Sequence, residues 1–115
     1  MELQSNFTTP EQTKRLLELG VPANSADIVY YNTPDSLYDP YIITEQSQLQ
    51  KIKEGIGIPC WSIGRLIEIL KICIIDKKEL EEIFEYLKDS YYLTECLVQV
   101  YKEWLSLLNF SKLEE

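Results

Sequence analysis

The sequence predicts an α+β fold that is mainly helical, with about four helices and a small antiparallel β-hairpin. Apolar residues recur at helical spacing behind recognisable helix starts in most of the chain. One short run, Ile28 to Tyr31, is instead β-branched and aromatic, which favours a strand. The chain has 115 residues, 45% of them hydrophobic, which fits one domain, 1–115, with one core. Residues 1–8 and 109–115 are expected to be loose termini.

The first helix is predicted over residues 10–19. Thr9 is a suitable N-cap, Pro10 fits the first helical position, and Gln12 has the spacing of a capping box. Gly20 can adopt the left-handed conformation that ends a helix, and Val21 can then fold back on the helix.

The β element is predicted to be two-stranded or three-stranded. Its first strand is Ile28 to Tyr31 and its second is residues 41–44. Pro34 and Pro40 lie between them, so the hairpin is expected to be irregular. For residues 45–54 we expect a short helix, with an edge strand as the alternative.

Three further helices are predicted in the second half of the chain. Ser62 is the expected cap of the first, with Trp61 and Leu66 as a hydrophobic staple, and Asp76 caps the next. Thr94 or Ser90 caps the last helix. Apolar residues at helical spacing give its expected buried stripe, which is Leu97, Tyr101, Trp104, Leu105 and Leu108.

Composition excludes several classes of function. The net charge is −8, from 19 acidic and 11 basic residues, and no basic stripe is present, which argues against direct nucleic-acid binding and against an anionic membrane surface. No apolar run approaches the length of a membrane span. Three cysteines without a CxxC pair, and an N-terminus without a signal pattern, predict a reduced cytoplasmic protein.

The residues that could carry catalysis form no convincing set. The chain has no histidine, which removes the usual proton shuttle and metal ligand. Cys60 lies close to a helix start, where a thiol can become reactive, but no base is placed beside it. Asp35 and Asp39 share one loop, yet their spacing is not that of a calcium loop. We therefore predict no enzyme, no cofactor and no metal, and keep an enzyme that uses Cys60 or the Asp35/Asp39 pair as a third hypothesis.

An interaction surface is the best-supported functional prediction from the sequence. Tyrosine is favoured at protein contacts, and four tyrosines cluster around two prolines, at Tyr30, Tyr31, Tyr38 and Tyr41. This predicts a small acidic domain that binds another protein. The alternative is an acidic mimic of nucleic acid that inhibits a DNA-binding or RNA-binding protein, which requires the acidic residues to gather on one face. The oligomeric state stays open.

Three segments resemble small uncharacterised proteins encoded in gut Bacteroidales genomes and in their prophages and mobile elements. The segments are residues 9–22 (TPEQTKRLLELGVP) with Ala26 and Asp27, residues 58–69 (IPCWSIGRLIEI) and residues 110–115 (FSKLEE). Together they cover about a third of the chain. The resemblance implies a bacterial or phage cytoplasmic setting and no catalytic residues.

Overall fold

The computed structural model describes residues 6–32, 37–42, 57–88 and 93–114, and for residues 30–32 and 37–42 it describes the backbone alone. Within these residues the order of elements is α1 Pro10–Glu18, a 3-10 turn Ala23–Ser25, β1 Ile28–Asn32, β2 Leu37–Ile42, β3 Gly57–Cys60, α2 Ile63–Cys73, α3 Lys77–Leu87, α4 Leu93–Glu103, and the 3-10 turns Leu105–Leu107 and Phe110–Glu114. The predicted class, α+β and mainly helical, is confirmed.

The sheet has three strands in the order β2-β1-β3, and both pairings are antiparallel. The second strand is Leu37–Ile42, so it begins earlier than the expected residues 41–44. Of these, residues 43 and 44 lie outside the described residues. The third strand, β3, directly precedes α2, where the sequence indicated only a helix start. The expected helix over 45–54 also lies outside the described residues.

Among the described strands, β1 alone has a neighbour on each side, and the prolines fit this arrangement. Pro40 lies opposite Tyr30 in β2, and Pro59 lies opposite Val29 in β3. A proline has no N–H to donate, so strands at the edge of a sheet tolerate it while a central strand does not. The two prolines therefore agree with β1 as the central strand.

The first helix is built as its sequence predicts. The Thr9 hydroxyl accepts the Gln12 N–H, and the Gln12 side chain accepts the Thr9 N–H, at 3.2 and 3.0 Å. Gly20 has φ +98°, and the Val21 N–H donates to the Leu16 carbonyl oxygen at 3.2 Å. This bond back to the last turn of the helix is typical of a helix that ends at a left-handed glycine. Helix α1 therefore ends at Glu18, one residue before the predicted boundary.

The caps of the next two helices also agree with the sequence. The Ser62 hydroxyl accepts the Arg65 N–H at the start of α2, and the Asp76 carboxylate accepts the Lys78 N–H at the start of α3. Of the two candidate caps of the last helix, Thr94 is wrong, because it lies inside α4. Ser90, the other candidate cap, lies outside the described residues.

The main core lies between the four helices of the described residues and includes Trp61, which directly follows β3. Its fully buried members come from every helix, with α2 and α4 supplying most of them. They include Leu16, Trp61, Leu66, Ile69, Leu70, Cys73, Ile83, Leu97, Val100 and Tyr101. A second, smaller cluster around Ile28 and Cys60 fills the space beside the sheet.

The described parts of both termini are held in place, which differs from the expected loose ends. Phe7 forms a β-bridge with Ser62, and Thr8 is fully buried. At the other end, Phe110 and Leu113 pack against the main core. The physical reason is that a short flanking segment can still bury its apolar side chains and pair its backbone with a preformed element.

Candidate functional site

Cys60, the candidate reactive thiol, is fully buried. Its Sγ donates to the Thr8 carbonyl oxygen at 2.9 Å, and the Thr8 hydroxyl donates to Sγ at 3.3 Å. That hydroxyl also accepts the Trp61 N–H at 3.1 Å and lies 2.9 Å from the Thr13 hydroxyl. The thiol is therefore part of a buried polar junction, defined here as Thr8, Thr13, Cys60 and Trp61, which ties the N-terminal segment to α1 and β3.

The tyrosine surface expected from the sequence falls in β1 and β2. The backbones of Tyr30 and Tyr31 pair with those of Pro40 and Asp39, and Tyr41 pairs with Val29. The side chains of Tyr30, Tyr31, Tyr38 and Tyr41 lie outside the described residues. Asp35 and the side chain of Asp39 also lie outside the described residues. The tyrosine surface and the Asp35/Asp39 pair therefore stay predictions.

An open polar pocket of about 460 Å³ lies at the start of α2. It is lined by the connector before β1 and by the first turns of the helix. The lining residues are Asn24, Ala26, Asp27, Ser62, Gly64, Arg65 and Glu68.

The polar groups of this pocket are engaged with one another. The Asp27 carboxylate accepts the Ser62 N–H at 2.9 Å and the Ser62 hydroxyl at 2.6 Å. The Arg65 Nε donates to the Ser25 carbonyl oxygen at 2.7 Å, and its guanidinium pairs with Glu68. Asp27 therefore supplies the negative charge that the N-terminus of α2 favours. The arrangement is typical of a capped helix start rather than of a catalytic site.

A second feature is an apolar strip on the surface, defined as Ile75, Tyr86, Trp104 and Leu107. Ile75 is 73% exposed, Tyr86 is 47% exposed and Leu107 is 43% exposed, and Trp104 is half-buried. Single exposed apolar residues are ordinary on protein surfaces, whereas adjoining ones mark contact sites.

Helical spacing brings the aromatic half of the strip together. Tyr86 lies seven residues after Glu79, so both share one edge of α3. The indole Nε1 of Trp104, just past the end of α4, donates to the Glu79 carboxylate at 3.2 Å. The rings of Tyr86 and Trp104 lie 6.3 Å apart between centroids and are tilted by 50°, a favourable aromatic geometry.

The aliphatic half is joined to it by the turns after α4. The Leu107 N–H donates to the Trp104 carbonyl oxygen at 2.9 Å. Two residues later, the Asn109 N–H donates to the Cys73 carbonyl oxygen at 3.1 Å. This bond brings the chain after Leu107 to the end of α2, two residues before Ile75. Sequence reasoning assigned Trp104 to a buried stripe and passed over Tyr86, whose position four residues after Glu82, on a polar edge of α3, was the available signal.

Two buried acids outside these features are held in their neutral forms. Burial raises the pKa of the Tyr101 hydroxyl well above its usual value of 10.0, and that hydroxyl donates to the Leu66 carbonyl oxygen at 2.7 Å. Burial also raises the pKa of the Cys73 thiol, although the Arg65 charge opposes the change. A neutral buried thiol is a weak nucleophile, so Cys73 fits a structural role.

Over the part of the chain that the structure describes, no group of three or more acidic, cysteine or histidine side chains could hold a metal ion. The same residues include no helix with the length and apolar character needed to cross a membrane. Comparison of the chain with protein-family models, curated proteins and solved structures gave no match.

Proposed function

We propose that the protein is a non-enzymatic domain that binds another protein through the apolar strip. The observation that carries this proposal is the ring contact of the half-buried Trp104 with the exposed Tyr86, together with exposed Leu107 and Ile75 in the segments that follow α4 and α2. The proposal keeps the protein-binding role expected from the sequence. It places the contact on α3 and the end of α4, and the tyrosines of β1 and β2 remain a second candidate surface.

The chemistry of the strip supports a binding role. Tryptophan and tyrosine are the residues most often responsible for binding energy at protein contacts, because a large apolar ring carries a polar tip. The Trp104 N–H is already bonded to Glu79. A partner could therefore cover the indole ring without leaving that N–H unpaired, which would otherwise oppose burial.

The distribution of charge supports this role over an acidic mimic of nucleic acid. The described side chains include twelve acidic and nine basic residues, a net of −3, so most of the net charge of −8 belongs to other residues. Each of the four helices carries both signs; in α1, Glu11 and Glu18 flank Lys14 and Arg15. A mimic needs a dense array of carboxylates, which these helices do not supply.

The candidate nucleophile and the polar pocket give little support to an enzyme. Cys60 is buried and bonded to Thr8. In the pocket, Asp27 is bonded to Ser62 through both carboxylate oxygens. Cys60 has no accessible base beside it, and the Ser62 hydroxyl, although it donates to Asp27, is engaged as the cap of α2 because it accepts the Arg65 N–H at 3.1 Å.

Site-specific photocrosslinking tests the proposal. A photoreactive amino acid replaces Leu107 in the strip, and a matched protein carries it at Leu17, an apolar residue of α1 that is 39% exposed. A third protein carries it at Tyr38 and tests the tyrosine surface. Each is irradiated in a lysate of a gut Bacteroidales bacterium, chosen because of the resemblance of residues 9–22 and 58–69. The phage or mobile-element origin itself stays a prediction.

Crosslinks to a defined protein from position 107 but not from position 17 would support the proposal. Excess unlabelled wild-type protein should suppress them, and excess Tyr86→Ser protein should suppress them less. Equal crosslinking from positions 17 and 107 would show that the strip is no specific site. Specific crosslinks from position 38 alone would move the contact to β1 and β2.

A further inference from the structure

We infer that residues 6–8 form a lid that opens separately from the helical core, and that a group attached to the Cys60 sulfur holds this lid open. The inference concerns the buried polar junction and does not depend on the apolar strip. It gives Cys60 a part in a conformational switch and none in a catalysed reaction.

The lid lies beside the segment that joins β3 to α2. An antiparallel bridge at Phe7 marks this contact. The Thr8 N–H donates to the Trp61 carbonyl oxygen at 2.9 Å. The Ile63 N–H donates to the Asn6 carbonyl oxygen at 3.0 Å. These bonds lie outside the helices and outside the three-stranded sheet, so the described parts of both keep their own hydrogen bonds when the lid opens.

The apolar contact of the lid belongs to the small cluster beside the sheet. Half-buried Phe7 packs against the cluster of Ile28 and Cys60, whereas the main core is a separate set of buried residues. A segment with little buried apolar surface can open at a lower free energy than the whole molecule. Opening of the lid therefore leaves the packing between the four described helices in place.

The closed lid leaves no space for a further group on Cys60. The thiol is fully buried, and its Sγ donates to the Thr8 carbonyl oxygen at 2.9 Å. The Thr8 hydroxyl donates to the same Sγ at 3.3 Å. A sulfur that carries an added group has no proton to donate, and the group needs the space that Thr8 fills. Attachment of the group and closure of the lid therefore oppose each other by the same free energy.

The reagent that suits this switch is a small disulfide or a methyl thiosulfonate. Once the lid is open, the thiol gives its proton to water, and the Cys60 sulfur attacks one sulfur of the reagent. An S–S bond to Cys60 forms, the bond between the sulfur attacked and the rest of the reagent breaks, and that remainder leaves as an anion. A low-molecular-weight thiol reverses the exchange, and the lid can close again.

Labelling with methyl methanethiosulfonate, followed by peptide mass spectrometry, tests the separate opening. Cys60 and Cys73 are both fully buried, but Cys73 belongs to the main core. They fall on different tryptic peptides, residues 54–65 and 72–77. Cys60 should react at least about tenfold faster, and dilute urea should accelerate only Cys73, because opening of a short lid exposes little surface. Equal rates with equal dependence on urea would mean that only global unfolding exposes Cys60, and the inference would be wrong.

Two alanine variants locate the opening. Phe7→Ala weakens a contact that the open lid has lost, so it should speed the labelling of Cys60 about tenfold. Val29→Ala removes buried atoms from β1, whose pairing with β3 the open form keeps. It should change the labelling of Cys60 less than about twofold while it speeds that of Cys73. If Val29→Ala speeds Cys60 as much as Phe7→Ala does, the sheet opens instead of the lid, and the inference fails.

Limited proteolysis tests whether the attached group holds the lid open. Chymotrypsin should cut after Phe7 at least about tenfold faster in protein labelled at Cys60, while the helical circular dichroism is kept. Dithiothreitol should restore the protection. A brief reaction that labels only Cys96, which is half-buried, supplies the control and should leave the cleavage rate unchanged. Unchanged protection of Phe7 in protein labelled at Cys60, or loss of the helical signal, would overturn the inference.

Discussion

Trp61 and Trp104 both donate their indole N–H to a side-chain oxygen, in two different settings. Trp61 is fully buried and donates to the Ser25 hydroxyl at 3.0 Å, and that hydroxyl donates in turn to the Pro22 carbonyl oxygen at 2.6 Å. Trp104 is half-buried and donates to the Glu79 carboxylate at 3.2 Å.

The difference separates a tryptophan of the core from the tryptophan that we propose for recognition. The interior tryptophan uses a neutral acceptor, since a buried charge would require its own compensation. The surface tryptophan can use a carboxylate, since water still reaches the charge. Trp61 therefore belongs to the buried polar junction around Thr8. The bond to Glu79 orients the ring of Trp104 at the apolar strip.

Alanine at the two tryptophans should give the largest difference. Trp61→Ala empties a large site in the core and should lower the free energy of unfolding by about 3–5 kcal/mol. Trp104→Ala removes a ring that is only half-buried and should lower it by about 1–2 kcal/mol. Denaturant unfolding followed by circular dichroism measures both.

Trp61→Phe is the control, because it keeps much of the ring volume and should be milder than Trp61→Ala. Equal losses for the two alanine variants would contradict the division between an interior and a surface tryptophan. A greater loss of partner capture with Trp61→Ala than with Trp104→Ala, in protein that remains folded, would contradict the role given to the strip.

The buried polar junction gives the second largest effect. Thr8→Val keeps the shape of the side chain but removes the hydroxyl that accepts the Trp61 N–H at 3.1 Å and contacts the Thr13 hydroxyl. A buried N–H left unpaired costs about 1–3 kcal/mol, so the midpoint of denaturant unfolding should fall accordingly. At the strip, Glu79→Gln keeps an acceptor for Trp104 and should change stability by about 0.5 kcal/mol or less. If Thr8→Val leaves the free energy of unfolding unchanged, the buried polar junction does not hold the N-terminal segment.

Local features of the fold were predictable from the sequence, and distant pairings were not. The capping box of Thr9 and Gln12, the left-handed Gly20 and the Ser62 cap each depend on residues within a few positions of one another. Such patterns are readable because their partners lie at fixed spacing. The bond from Ser62 to Asp27 spans 35 positions, and no spacing rule marks it.

The third strand and the apolar strip escaped prediction for related reasons. Gly57–Cys60 is only four residues long and contains Pro59, so its sequence carries little strand pattern. Its pairing with β1 joins residues that are far apart in the sequence. The helical spacing of α4 predicted that Trp104 would be buried, but α4 ends at Glu103, and the turn that follows takes the ring to the edge of the core.

The interior tyrosine offers a test through pH. Burial raises the pKa of Tyr101 well above its usual 10.0. Below pH 10 both folded and unfolded states keep the proton, so this group leaves stability unchanged with pH. Above pH 10 the unfolded state loses the proton first, and stability should fall by about 1.4 kcal/mol per pH unit for this group.

Denaturant unfolding between pH 9 and 11 measures this slope. Tyr101→Phe should be less stable at neutral pH, because the hydroxyl no longer bonds the Leu66 carbonyl oxygen. The variant should also show a shallower decline at high pH, to which Cys73 still contributes through its own raised pKa. Identical slopes in the two proteins would show that Tyr101 is not held neutral in the folded state.

A small gain in stability is expected at the open polar pocket. Gly64 lies in the first turn of α2 and is exposed, and a Cβ added there would meet only the Ser62 hydroxyl oxygen, at 4.0 Å. Gly64→Ala should raise the free energy of unfolding by about 0.5 kcal/mol, because alanine loses less backbone freedom on folding. Gly20→Ala is the matched opposite: its φ of +98° strains any residue with a Cβ, and the loss should be about 1 kcal/mol. The two variants restrict the backbone of the unfolded chain alike. Opposite changes in the free energy of unfolding would therefore come from the folded backbone at each helix end. Changes of the same sign would contradict the conformation assigned to Gly20.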